Sequence, residues 1–198
     1  MGKGANTRDF IIEKAAQVFS RRGFVGTSMS DIMAETGLEK GGIYNHFKNK
    51  DELALAAFEH SFGLLWAHLT GPLSGGNSVD KLLALIDAFA SLIVRPEFRA
   101  GCPVMNTAID SDDTHPALRD RVRAGGDDWY NLVEGIVADG ISAGLLKPRT
   151  DGHAVGTILL TSLEGAVMLT KLYHDPLYMR QVVEHLKGYV GTLVVGNR

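Results

Sequence analysis

The sequence predicts an all-α protein with a small basic head and a larger acidic body. Three observations carry this. Apolar residues recur at helical spacing in one segment after another, no stretch alternates apolar and polar residues at strand length, and the charge is unevenly spread. Of the 198 residues 45% are apolar and 22% charged, the proportions of a globular chain with enough apolar mass for one domain or two small ones. The net charge is −3, yet residues 1–50 hold eight lysines and arginines against five acids, leaving +3 on the head and −6 on the rest. A basic head on an acidic body points to two different partners, with phosphates falling to the head.

Taken in order, Thr7 is the expected N-cap of a first helix that turns Phe10, Ile11, Ala15, Val18 and Phe19 inward and is closed by Gly23. Ser28 with Asp31 three places on makes a capping box for a short helix carrying Met29, Ile32 and Met33, and Gly37 stops it. A third helix spans about Lys40 to Phe47. Asn49 with Glu52 opens a long fourth helix that runs to Gly71 and Pro72. After a linker at Ser74–Ser78, Val79, Leu82, Leu83, Ile86, Ala90 and Ile93 mark a fifth helix ending before Pro96. A short helix from Pro103 to Asp110 precedes a loop. Pro116 then starts a long helix to about Gly144, in which Gly125 and Gly126 predict a kink or a close approach by another backbone. Two helices remain, Asp151–Tyr173 and Leu177–Val195, divided by Asp175 and Pro176.

The segment Ser28 to Leu53 carries the most chemistry. Two short helices joined at Gly37 satisfy the needs of a helix-turn-helix, whose second helix must project into a DNA groove ~12 Å wide. Ile32, Met33, Leu38, Ile43 and Phe47 would fix the crossing, leaving Lys40, Gly41, Gly42, Tyr44, Asn45 and His46 facing out, with Lys48 and Lys50 extending the positive edge. Lys, Tyr, His and Asn donate to phosphate oxygens, and Asn can also read adenine in the major groove.

These residues give the chain its resemblance. The stretch from Arg8 to Leu53 resembles the DNA-binding domain of the tetracycline-repressor-like (TetR) family of transcription regulators. The matching marks are Ala15-Ala16, Phe19, Gly23-Phe24, Thr27-Ser28, Asp31-Ile32, Gly37-Leu38, Lys40-Gly41, Ile43-Tyr44, His46-Phe47, and Lys50 with Leu53. Two positions depart from the family pattern: Glu39 replaces the usual Ser or Thr, so no side-chain cap is expected on the third helix, and Gly42 offers no side chain where a base is often read. The resemblance implies a homodimer that binds a palindromic operator through residues 1–50 and releases it when a small molecule enters residues 51–198. It assigns phosphate contacts to Thr27, Ser28, Lys40, Tyr44, His46 and Lys50, and base reading to Asn45 and Lys40. It pairs the helices 151–173 and 177–195 with their symmetry mates. The residues agree, because 151–173 is apolar on two sides: Val155, Ile158, Leu159, Ala166 and Leu169 on one, Leu160, Leu163 and Val167 on the other.

In the body, Phe62, Trp66, Phe89, Met105, Trp129, Tyr130 and Met168 supply aromatic and soft walls for a small-molecule pocket, with Asn106 and Glu164 as its polar groups. The same residues also suit a helical core. Cys102, the single cysteine, is either a small buried residue or a thiol that senses electrophiles or oxidants, activated by its place before Pro103 and by Lys171. The stretch GCPVMN resembles a branch of the family in which some members sense with a cysteine. Asp110, Asp112, Asp113 and His115 fail the calcium-loop pattern because His115 stands where glycine is needed and Arg121 where the bidentate glutamate belongs, so no metal is expected. His60 and His68 lie too far apart on one helix to share an ion. The chain carries no GxSxG, HExxH, GxxxxGK[ST] or GxGxxG, which argues against an enzyme and implies no cofactor. A helical ligand- or partner-binding module without operator binding is the rival. The N-terminus shows no secretory or myristoylation pattern and no segment approaches ~18 consecutive apolar residues, so the cytoplasm is the expected compartment and a membrane is not an expected partner.

Overall fold

The computed structural model describes residues 3–196, with side chains from Asn6 on; Met1 and Gly2, at the start of the N-terminal segment read above, lie outside the described residues, as do Asn197 and Arg198. Nine α-helices are present among the described residues: α1 (Lys3–Arg22), α2 (Met29–Thr36), α3 (Lys40–Tyr44), α4 (Lys50–Thr70), α5 (Ser78–Ala90), α6 (Pro103–Ser111), α7 (Pro116–Ser142), α8 (Gly152–Tyr173) and α9 (Leu177–Leu193). Three short 3-10 turns follow α4 and α5. No strand forms among the described residues, and one isolated antiparallel bridge joins Leu146 to Val194. The fold is all-α.

Local chemistry explains most of the boundaries. At α2 the Ser28 hydroxyl accepts from the Asp31 N–H, the Asp31 carboxylate accepts from the Ser28 N–H, and Gly37 ends the helix at φ +69°. Asn49 Oδ1 accepts from the Glu52 N–H at 2.8 Å, while the Glu52 carboxylate reaches back to the Lys48 N–H rather than to Asn49. Asp151 caps α8 by accepting from the Ala154 N–H. Several boundaries differ from expectation; α5 ends at Ala90 before a 3-10 turn over Ser91–Val94, and α9 ends at Leu193 rather than Val195. The first helix starts at Lys3, so Thr7 lies inside it instead of capping it: Gly4, Ala5 and Asn6 contain no proline to interrupt the ladder. The third helix ends at Tyr44 rather than Phe47, because Glu39 makes no side-chain cap and two adjacent glycines weaken a helix already near minimal length.

The chain divides into two compact units. One holds residues up to Leu65 together with Pro103–Gly125; the other holds Trp66–Cys102 and the residues from Gly126 on. The boundaries fall inside α4, at the start of α6 and within the first half of α7. Within the first unit, Ile11, Ile12, Ala15, Ala16, Ile32, Ile43, Phe47, Leu53 and Ala57 form a buried core, with Met33 and Leu38 packed at its edge. The expected closeness at Gly125 comes from a ring rather than a backbone: a Cβ there would lie 2.9 Å from Phe62 Cε2.

In the second unit α8 packs on α9 and α5. Its buried stripe comprises Val155, Leu159, Leu163, Ala166 and Val167. This corrects the sequence division into two faces: Leu163 and Val167 join the inward side, whereas Ile158 is 37% exposed. By length and composition Gly152–Tyr173 is long and apolar enough to cross a membrane. The packing of that stripe accounts for part of its hydropathy, and Ile158, Met168, Leu172 and Tyr173 stay exposed.

Candidate nucleic-acid interface

The third helix, α3, is held from beneath. Ile43 is fully buried and Phe47, one turn on, is 1% exposed. Their burial turns Lys40, Gly41, Tyr44 and Asn45 outward, and all four are exposed. The Lys40 ammonium lies 5.5 Å from the centre of the Tyr44 ring, a loose cation–π pair that leaves both able to donate to phosphate. A Cβ on Gly41 would meet no atom within 4 Å, and one on Gly42 would just touch Leu38 at 3.4 Å. Neither glycine is demanded by packing. His46 is half-buried beside them, Lys48 is exposed, and half-buried Lys50 rests its ammonium 4.0 Å above the Phe24 ring.

Thr27 and Ser28 lie differently from the rest. Thr27 is 2% exposed and its hydroxyl donates to the Gly23 carbonyl at 2.6 Å, so this side chain braces the turn before α2 and is not presented to a phosphate. Ser28 is exposed, but its hydroxyl is committed to Asp31. That hydroxyl, the Ser28 N–H and the Arg22 guanidinium together hold the Asp31 carboxyl below its ordinary range. Arg22 pairs with Asp31, and Arg21 with Glu35 at 2.7 Å. Two positive charges of the head are thereby spent on tying α1 to α2. The sequence reading missed these pairs and also Arg8, which lies 4.8 Å over the Phe47 ring; no short-range pattern links residues so far apart.

The residues proposed for a ligand fall into both units. In the first, Phe62 is buried and stacks on Phe58 at 6.0 Å, while Met105 and Asn106 sit half-buried on α6. In the second, Phe89 meets Trp129 edge-on at 6.0 Å and the Trp129 indole N–H donates to the Gly156 carbonyl at 3.0 Å. Tyr130 stacks on His153 at 4.4 Å and accepts from the Thr157 hydroxyl, and Trp66 is half-buried. Met168 is 51% exposed. Cys102 is 1% exposed and its thiol hydrogen-bonds the Glu164 carboxyl. Burial pushes that carboxyl up to about 7, the thiol opposing in part, and Glu164 Oε2 has no hydrogen-bond partner. The Lys171 ammonium donates to the Ala100 carbonyl. The thiol is thus buried and hydrogen-bonded, as in a core cysteine.

The remaining polar groups have structural work. His68 Nε2 lies 2.9 Å from the Ala88 carbonyl and 2.8 Å from Ser91 Oγ. His115 Nδ1 accepts from the Leu118 N–H, capping α7, and the Asp110 carboxylate accepts from the Phe24 N–H. A cleft of about 330 Å³ that no sequence signal marked lies between the Lys147–Asp151 loop, the first turn of α8, and Tyr189 and Leu193 of α9.

A helix-turn-helix with an exposed basic and amide face on an all-helical fold defines a DNA-binding regulator rather than an enzyme. Comparison with known proteins carries this further. Residues 11–57 match the family model described as bacterial regulatory proteins, tetR family, and residues 78–186 match the tetracyclin repressor-like C-terminal domain. The chain belongs to the TetR family of transcription regulators. Among solved structures it resembles a TetR transcriptional regulator from Chloroflexus aurantiacus J-10-FL, with 41% identity, 98% of each chain covered and a TM-score of 0.94. A TetR-family regulator from Cytophaga hutchinsonii shares 32% identity over 98% of each chain, with a TM-score of 0.88. The HTH-type transcriptional repressor DhaR of Mycobacterium sp. (strain GP1) is 24% identical over 165 residues, 83% of this chain and 82% of that one.

Proposed function

We propose that the chain is a ligand-responsive repressor that binds a palindromic operator as a homodimer in the cytoplasm and is released by a small-molecule inducer. The observation that carries the reading is the division of α3 between buried Ile43 and exposed Lys40, Gly41, Tyr44 and Asn45. Residues 1–50 supply the DNA-binding surface. Lys40, Tyr44, His46, Lys48 and Lys50 take phosphates, Asn45 reads a base with Lys40 beside it, and Gly41 and Gly42 leave the helix bare where it faces the groove. Residues 51–198 supply ligand binding and dimerisation. Phe62, Trp66, Phe89, Met105, Asn106, Trp129, Tyr130 and Glu164 remain the ligand candidates.

The homodimer is proposed through 151–173 and 177–195. Ile158, Met168, Leu172 and Tyr173 of α8 and Leu177 of α9 are 37–65% exposed, an apolar strip that a second copy would cover. The fourth helix runs along the chain from one unit into the other, and coupling between inducer and operator is assigned to it. The repressor DhaR matches over most of its length, which supports repression.

A binding titration with promoter DNA flanking the protein's own gene, at two salt concentrations, tests the assignment. Lys50→Ala is expected to weaken all sequences alike and lower the salt slope by about one unit, whereas Asn45→Ala relaxes discrimination between sequences. Equal loss of discrimination from both changes contradicts the roles. No salt-sensitive binding by the unmodified protein favours a ligand- or partner-binding module.

A further inference from the structure

We infer that Asp110 is a positioning residue for DNA binding, one that fastens the turn between α1 and α2 and so sets the helix-turn-helix in its reading arrangement. The inference rests on the DNA-binding reading above and extends it to a residue outside the first 50. Gly23 adopts φ +72°, and a Cβ there would lie 2.7 Å from Asp110 Oδ1. Glycine is thus needed twice, for its backbone conformation and for the space the carboxylate takes. The same carboxylate accepts from the Phe24 N–H, a backbone donor left over where α1 ends.

Phe24 carries the effect onward. Its ring meets the edge of His115 at 4.5 Å, stacks near Phe19 at 6.2 Å, and lies under the Lys50 ammonium that opens α4. Buried Thr27 ties the same turn shut through the Gly23 carbonyl, and Ser28 then starts α2. Behind the contact, Ser111 Oγ and His115 Nε2 are buried without hydrogen-bond partners, the latter 3.6 Å from Asp51 Oδ1. The junction of α6 and α7 is closed by its own bonds, from the Thr114 hydroxyl to the Asp110 carbonyl and from the Leu118 N–H to His115 Nδ1, and the charge-assisted bond from Phe24 to Asp110 holds the turn against it. A mobile turn would spread the positions of α2 and α3, and binding would require that freedom to be lost again.

Amide hydrogen exchange at Phe24 and DNA titration on the full chain test this, with duplex promoter DNA flanking the protein's own gene as the probe. Asp110→Ala is expected to speed Phe24 exchange about tenfold or more and to weaken DNA binding about tenfold, with the salt slope unchanged because the phosphate contacts remain. Asp110→Asn keeps an acceptor oxygen and stays within about threefold of the unmodified protein on both measures. Faster exchange with undiminished DNA affinity marks a merely structural bond and overturns the inference, as does wild-type exchange in the alanine variant. A measurement on the unmodified protein needs no variant to fold: saturating DNA should slow Phe24 exchange by about threefold or more, since coupling is reciprocal, and unchanged protection overturns the proposal. Absence of binding by the unmodified protein overturns the DNA-binding reading itself, whereas loss confined to Asp110→Ala leaves that reading standing.

Discussion

Glu164 keeps a carboxyl largely out of water, with the Cys102 thiol as a polar partner and Oε2 without one. Its titration range lies near 7 instead of 4.5, so between those values the folded chain holds a proton that the unfolded chain has lost. Stability therefore falls as pH rises through that window and the loss is complete above it. Replacing Glu164 by Gln removes the charge but keeps the shape. Denaturant unfolding at fixed protein concentration should find the variant equal to the unmodified chain near pH 4 and more stable at pH 8 by up to roughly 3 kcal/mol. An equal difference at both values would show that Glu164 stays ionised. Glu164 was legible as a polar residue in an apolar helix, but its pairing with Cys102 was not, because no local pattern links the two positions.

The elements were legible wherever their signals lie within one turn. Ser28 with Asp31, Asn49 with Glu52, and the left-handed Gly23 and Gly37 all stand where the sequence places them. Errors came where competing local effects are nearly balanced, as in the early start of α1 and the early end of α3. Contacts across long stretches of chain gave no signal at all: Phe24 and Asp110 are 86 positions apart. For α8 the apolar content was legible, but its facing was not, since residues suited to burial occur around most of the helix. The exposed strip on α8 leads to a prediction at this scale. Ile158→Asp should convert a particle of twice the chain mass to a single chain in sedimentation, because a charge in the seam must be desolvated unpaired. A variant that still sediments as a pair would place the seam elsewhere.

At the scale of the whole molecule, one sequence combines a basic reading surface with an acidic helical body, and a regulator needs the two to exchange free energy. If an inducer weakens DNA binding by some factor, DNA weakens inducer binding by the same factor. Two copies of α3 must also reach successive major grooves, which fixes their separation near one turn of B-DNA, ~34–36 Å, or a multiple of it. The two sides of α3 were legible, Ile43 being buried and Lys40, Tyr44 and Asn45 exposed; the burial of Thr27 was not, because burial at a turn depends on the segment that folds over it. Footprinting of the unmodified protein on the promoter DNA flanking its own gene tests the whole most directly. The expected result is two protected half-sites of inverted sequence, about 10–10.5 base pairs or a multiple apart, lost at high salt. Protection of a single site, or none at low salt, would contradict it.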